Sequence, residues 1–156
     1  MRDDKHLLGI LFLVLVFDVW LYVSIFSFYF SPDLKTYFLS AGQGDATLLV
    51  MPGGKRLIID GGPGRRTVGE LGNILPPWAR RIDAILVTHP QSDHFAGFID
   101  VLKTYRVSYV FGNGDENDTQ TFDVFKKILR ERGLSPIVLR RGDTIDISKT
   151  HMLVLG

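Results

Sequence analysis

Apolar positions follow three different rhythms along the chain, and each rhythm predicts a different kind of element. The first is nearly continuous: residues 7–30 read LLGILFLVLVFDVWLYVSIFSFYF, with Asp18 as the one formal charge. The second is a set of short runs separated by glycine-rich punctuation. Strands are predicted at 36–39, 46–51 and 55–60, joined by a tight turn at Gly42-Gln43-Gly44-Asp45 and a hairpin turn at Pro52-Gly53-Gly54. Gly61-Gly62-Pro63-Gly64 ends this meander, and a short helix is predicted over 68–75. The third rhythm alternates strand and helix. Residues 82–88 (IDAILVT) form a continuous apolar run of strand length, as expected where both faces are covered. A helix follows, reaching about Tyr105, with Phe98, Val101, Leu102 and Tyr105 on one face. Next come a strand at 107–111, a polar loop at 112–118, and a helix at 119–132. That helix carries Phe122, Phe125 and Leu129 at helical spacing, with Gly133 in the stop position. Strands at 136–139, 144–147 and 152–155 complete the set. A β meander, then strand–helix units, then further strands is an α/β layered pattern.

The first run is long enough to span a hydrocarbon core of about 30 Å at a rise of about 1.5 Å per residue. A central aspartate costs roughly 2.5–3.5 kcal/mol on the insertion scale, while each Leu, Ile, Phe or Val returns about 0.3–0.6. Seventeen such residues lie in the window, so insertion wins. A cleavable signal peptide is the competing reading, but it expects a shorter apolar core and small residues at a cleavage site. Here Ser31-Pro32-Asp33 follows, with no A-x-A pattern. The expected organisation is therefore a tail at 1–6, a transmembrane signal anchor at 7–30, a linker at 31–35 and one domain at 36–156. Arg2 and Lys5 precede the span and only Lys35 follows closely. That bias puts the N-terminus in the cytoplasm and the domain outside, on a single-pass protein of the cell membrane. Asp18 is either a tolerated carboxyl or a polar contact within the membrane.

Composition changes this picture little. Apolar residues make up 46 % and charged residues 22 %, and the formal charge of +1 demands no polyanionic partner. The absence of cysteine excludes disulfides and thiolate metal ligands.

The chemistry concentrates after the apolar strand, in His89-Pro90-Gln91-Ser92-Asp93-His94. Two imidazoles and a carboxylate on one strand-to-helix loop can converge on a divalent metal. Taken alone, the same six residues read equally well as a helix cap at Asp93 beside two surface histidines.

The flanking sequence favours the first reading. FLSAGQGDATLLVMPGGKRLIIDGG, then IDAILVTHPQSDHFAGF, then LRRGDTIDI resembles the hydrolase domain of the ComEC competence proteins, in the metallo-β-lactamase superfamily. The resemblance runs from about Leu34 to Gly156. It implies an αββα sandwich with metals in a groove along its edge, one or two divalent ions, zinc before manganese. It makes His89 a ligand of the first metal, and Asp93 and His94 catalytic ligands of the second. It places Asp60 behind the ligand loop and Asp45 close to the groove, although turn geometry accounts for Asp45 as well.

Two departures from the family pattern stand out. Gln91 occupies a position that is histidine in the fullest form of the motif, which makes it a weak ligand at best. Ser40 replaces an aspartate. The family also supplies later ligands that are missing here, since His151 does not match one; the chain is expected to be the first half of the sandwich.

Other motifs are weaker. Arg65 and Arg66 beside the glycine-rich 61–64 stretch suit either a phosphate contact or a flexible rim of the groove. Asp115-Glu116-Asn117-Asp118 is a calcium-like stretch with Gln120 where glycine is required, hence a solvated loop. Arg141-Gly142-Asp143 reads as a turn. Lys126, Lys127, Arg130 and Arg132 form a basic helix face that is solvated unless an anionic polymer uses it. The expected function is a membrane-anchored, metal-dependent hydrolase of phosphodiesters such as single-stranded DNA, working with a DNA-uptake channel protein. The alternatives are a lactam, lactone or thioester hydrolase, and a catalytically inactive binding module of an uptake apparatus.

Overall fold

The computed structural model describes residues 2–29 and 33–155, with side chains described for 5–27 and 33–155. Residue 1 of the expected tail, residue 30 of the expected span, residues 31 and 32 of the expected linker, and Gly156 lie outside it. The first element, α1 (Arg2–Tyr29), is one helix. Its stretch Lys5–Ser27 has a mean hydropathy of 2.4 and none of it is buried, so it is long and apolar enough to cross a membrane. Ser24 returns its hydroxyl to the Trp20 carbonyl at 2.8 Å, satisfying a polar group within the apolar surface.

After α1 come β1 (Lys35–Phe38), β2 (Ala46–Val50), β3 (Arg56–Gly61), α2 (Arg66–Ile74) and β4 (Arg81–Val87). They are followed by α3 (Ser92–Phe95), α4 (Gly97–Thr104), β5 (Arg106–Gly112), α5 (Gln120–Glu131), β6 (Pro136–Val138), β7 (Thr144–Ile147) and β8 (Thr150–Leu153). Strands β1 to β6 form one sheet in chain order, and β7 with β8 form a second, two-stranded sheet. The meander β1–β2–β3 is antiparallel and β3–β4–β5–β6 is parallel.

That change of direction positions the site. Strands β3, β4 and β5 run the same way, so their C-terminal ends share one edge of the sheet. Strand β2 runs against β3, so the turn that precedes β2 arrives at the same edge. Open α/β sheets place their sites outside the carboxyl ends of parallel strands for this reason.

The helix-side face of the sheet is covered, as the apolar run in β4 predicts, whereas the opposite face is covered only in part, with Tyr109 exposed and Leu86 and Phe111 half-buried. Ile58, Ile85, Val87 and Val110 join the main core under the helices, with Leu71 of α2, Phe98 and Leu102 of α4 and Phe125 of α5. Leu57, Ala84 and Met51 form a smaller cluster on the opposite face, where Ile147 and Met152 of the β7–β8 hairpin pack. The described residues thus provide a helical layer, the main sheet and a strand pair on its far side.

The differences from the sequence-based boundaries have local causes. The helix expected after the histidine loop is two pieces, α3 and α4, meeting at Ala96. Gly97 is pressed onto the carbonyl oxygens of Gly61 and Gly64, too close for any Cβ, and its N–H donates to the Gly62 carbonyl at 2.8 Å. The last strand begins at Thr150 instead of 152. Ser148, at φ 58°, turns the chain so tightly that pairing resumes at once, Ile147 opposite Thr150.

Candidate active site

Asp60 stands where β3 ends, and the ladder there is irregular. Ala46 pairs with Gly61 while Thr47 pairs with Ile59, so Asp60 is the extra residue of a β-bulge, with φ 56°. A bulge bends its strand and re-aims a side chain, and such bulges are common beside active sites. Strict alternation would place Asp60 with Ile58, facing the helix-covered core. The bulge instead carries its carboxylate across to the loop that follows β4.

Each carboxylate oxygen finds partners there. Oδ1 accepts the Thr88 backbone N–H at 2.9 Å. Oδ2 accepts the Thr88 hydroxyl at 2.7 Å and meets Nδ1 of His94 at 2.9 Å. Asp60 is 4 % exposed, so this pairing also compensates its burial. Thr88 Oγ1 lies 3.0 Å from Nδ1 of His89.

The proton positions follow from the inventory of donors. A carboxylate only accepts, so His94 must carry its proton on Nδ1. The Thr88 hydroxyl has one proton, already given to Asp60, so it can only accept from His89, whose proton is also on Nδ1. In the neutral rings this leaves each Nε2 as a lone pair able to ligate. The two rings lie against each other, centroids 3.8 Å apart at 47°.

Asp93 opens α3, and its Oδ2 is 3.8 Å from Nε2 of His94. Two ligands that each sit about 2.0–2.2 Å from a shared metal can be up to about 4.2 Å apart, so this pair fits a divalent cation. Imidazole nitrogen and carboxylate oxygen also suit zinc or manganese by donor type. Among the described residues no three His, Cys, Asp or Glu side chains converge fully on one point. The expected triad is thus a pair, Asp93 with His94, with the His89 ring tilted against the latter. Gln91 caps α3 through its backbone, its carbonyl accepting the N–H of His94 at 2.9 Å, while its side chain is exposed and makes no cap bond.

The glycine-rich turn reaches the same place. The backbone at Gly44 lies on the carbonyl of Asp93 so closely that no Cβ fits. Asp45 holds the Gly62 N–H through its carbonyl at 3.0 Å, while its side chain is exposed. In this conformation Asp45 serves turn geometry. Arg65 and Arg66 border a cleft of about 720 Å³ that also touches Gly42, Gln43, Ser92 and Asp93.

Two contributors were not apparent in the sequence. Thr88 reads there as the last residue of an apolar strand, and only its hydrogen bonds reveal the link to both histidines. Asn117 sits in the loop expected to be solvated, yet its Nδ2 donates to the Pro90 carbonyl at 2.5 Å and braces the ligand loop. The rest of that loop is occupied with itself: Asn113 pairs with Asp115, and Glu116 with Lys126. Contact with the Glu116 carboxylate raises the Lys126 pKa. His151 pairs with Asp146 across the β7–β8 hairpin at 2.7 Å.

A mixed parallel sheet with an aspartate-braced H-x-x-x-D-H loop at its carboxyl edge defines a class of metal-dependent hydrolase folds. The chain belongs to the metallo-beta-lactamase superfamily, whose family model matches residues 39–148. Members of that superfamily are hydrolases that generally bind divalent metals. Among solved structures the chain is similar to a new diphosphatase from the PhnP family, at 19 % identity and a TM-score of 0.49. The match covers 70 % of this chain and 41 % of that one, so the chain spans less than half of that protein's length. No curated protein matches it.

Proposed function

We propose that this chain is a membrane-anchored, metal-dependent hydrolase of ComEC type that acts on phosphodiesters, single-stranded DNA first among them. The reading is carried by the relay from Asp60 through Thr88 and His94, which turns both imidazoles so that Nε2 is free to ligate, that of His94 lying 3.8 Å from the Asp93 carboxylate. His89 and His94 through Nε2, and Asp93 through its carboxylate, would hold the cation, zinc or manganese. Gln91 would add at most a neutral amide oxygen. A divalent cation supplies a Lewis acid that polarises a phosphoryl oxygen and lowers the pKa of water. Asp60 and Thr88 keep the histidines in the ligating tautomer, and the 41–44 turn fixes the backbone of Asp93. Anchoring by α1, an extracytoplasmic domain and a partner channel protein for DNA uptake belong to the same proposal.

A second reading has its own support. The incomplete convergence of three ligands favours a metal-free, membrane-tethered binding module. Elemental analysis of the purified full chain, beside cleavage of a labelled single-stranded oligonucleotide and turnover of a lactam and a lactone, decides between them. Bound metal with oligonucleotide cleavage is expected. Metal with lactam or lactone turnover alone would replace the substrate, and absence of metal at saturating zinc and manganese would replace the enzyme with the module.

A further inference from the structure

The cleft beside Asp93 has a composition that the metal loop does not explain. It is lined by residues 41–43 of the glycine-rich turn, by the 63–66 stretch leading into α2, and by Ser92 and Asp93. Arg65 and Arg66 are both exposed, and neither has a carboxylate within ion-pair distance among the described residues. Arg66 is nevertheless placed. Its guanidinium lies over Gly42, where an added Cβ would stand 3.1 Å from Nη1. Gly42 has φ 97°, so the turn offers bare backbone as a shelf for a planar cation.

The backbone adds donors of the same sign. Among the described residues, no acceptor takes the N–H of Gly42, Gln43, Gly64 or Arg65. Successive free amides flanked by guanidinium groups form a concavity suited to an anion. Asp93 is the acidic exception in the lining, and it is a proposed ligand of the cation, which would neutralise it.

We propose that this cleft is a phosphate subsite, with Arg66 as its main contact and Arg65 and the turn amides in support. It would take a backbone phosphate of a nucleic-acid strand next to the one being cleaved. The proposal deepens the phosphodiesterase reading and rests on it for the position of the scissile bond. Arginine suits the role through its planar fork of donors, which matches two phosphate oxygens at once.

The experiment uses the full chain in detergent with a fluorescein-labelled, cleavage-resistant phosphorothioate oligothymidylate, read by anisotropy over a salt series at saturating zinc, with a parallel series in EDTA. Metal loading and oligonucleotide cleavage are measured separately on the same preparations. Losing one phosphate contact to a single strand lowers the slope of log K against log salt by about 0.7. Arg66→Ala is expected to show that change and to bind about tenfold more weakly, as for loss of a charge-assisted hydrogen-bond pair. Arg66→Lys should keep the slope, since the charge stays, while losing part of the affinity. It also guards against a folding artefact in the alanine variant.

Unchanged slope and affinity in Arg66→Ala would overturn the subsite, as would failure of the wild type to bind the oligonucleotide. Arg66-dependent binding by a protein that takes no metal and cleaves nothing would support the subsite and remove the hydrolase reading. Cleavage without dependence on Arg66 would do the reverse.

Discussion

At Asp60 the backbone enters the left-handed region, which costs an ordinary residue about 1–2 kcal/mol. Aspartate tolerates it better than most, and the three hydrogen bonds its carboxylate accepts offset the remainder. Thr88 transmits that investment to His89, so its hydroxyl should matter more to metal than to folding. Thr88→Val is expected to weaken zinc binding roughly 10–100-fold, the usual effect of losing a partner behind a ligand. Its stability should fall by only about 1 kcal/mol, because the buried Asp60 carboxylate loses one of its three donors and keeps the other two. Competition with a chromogenic chelator measures the first quantity, and equal affinity would show that the relay does not orient His89. At Gln91 the expectation is the opposite. Its side chain is exposed and its backbone does the capping, so Gln91→Ala should leave metal content near that of wild type. His94→Ala should lose tight binding, because it removes both a ligand and a partner of Asp60. Equal damage from the two substitutions would make glutamine a true ligand. The sequence showed His89, Asp93 and His94 as a motif. It could not show Thr88, because a threonine that ends a strand looks like any other until its partner 28 positions away is in place.

Among the elements, α5 bears on the site through Phe95, the residue after His94. Thr119 caps it, its Oγ1 accepting the Phe122 N–H at 3.3 Å, and Phe122, Phe125 and Leu129 face the core as their spacing predicts. Phe95, next in sequence to His94, is fully buried against them. Its ring meets Phe122 edge-on, centroids 5.1 Å apart at 79°, an arrangement worth about 0.5–1.5 kcal/mol beyond burial. The ligand loop is thereby nailed to the helical layer one residue after its last ligand. Beyond the end of α4, Tyr105 anchors the far side of the same layer at 4 % exposure. Burial raises its phenol pKa, and the charges of Arg80 and Arg56 offset part of the rise. Its contribution is therefore fully present below the unfolded value of 10.0 and is lost as pH climbs through the higher folded value. Tyr105→Phe should leave stability at neutral pH close to wild type and flatten its decline above about pH 10. Urea titrations at several alkaline pH values check this, and parallel curves for the two proteins would mean that Tyr105 does not ionise within the fold.

For the whole molecule, the open question is how the domain is held. The apolar face of α1 is continuous around the helix and wholly exposed, so water is a poor solvent for it. The full-length protein should resist carbonate extraction and keep its N-terminus; a soluble product cut near Ser31 would show a cleaved signal instead. External protease on intact spheroplasts tests orientation, and complete protection of the domain would reverse the assignment drawn from Arg2 and Lys5. The sequence by itself determined the membrane-length helix, nearly all strands and helices, and the ligand motif, because each rests on local periodicity or on neighbours within a few positions. What only the tertiary structure decided is which groups meet. The switch from antiparallel to parallel pairing at β3 brings the 41–44 turn, Asp60 and the histidine loop to one edge of the sheet. The bulge at Asp60 then selects the carboxylate that fixes both imidazoles, and Arg66 comes to rest on Gly42. Such encounters depend on strand direction and register, which are set by pairings between residues far apart in the chain and leave no periodic trace in it.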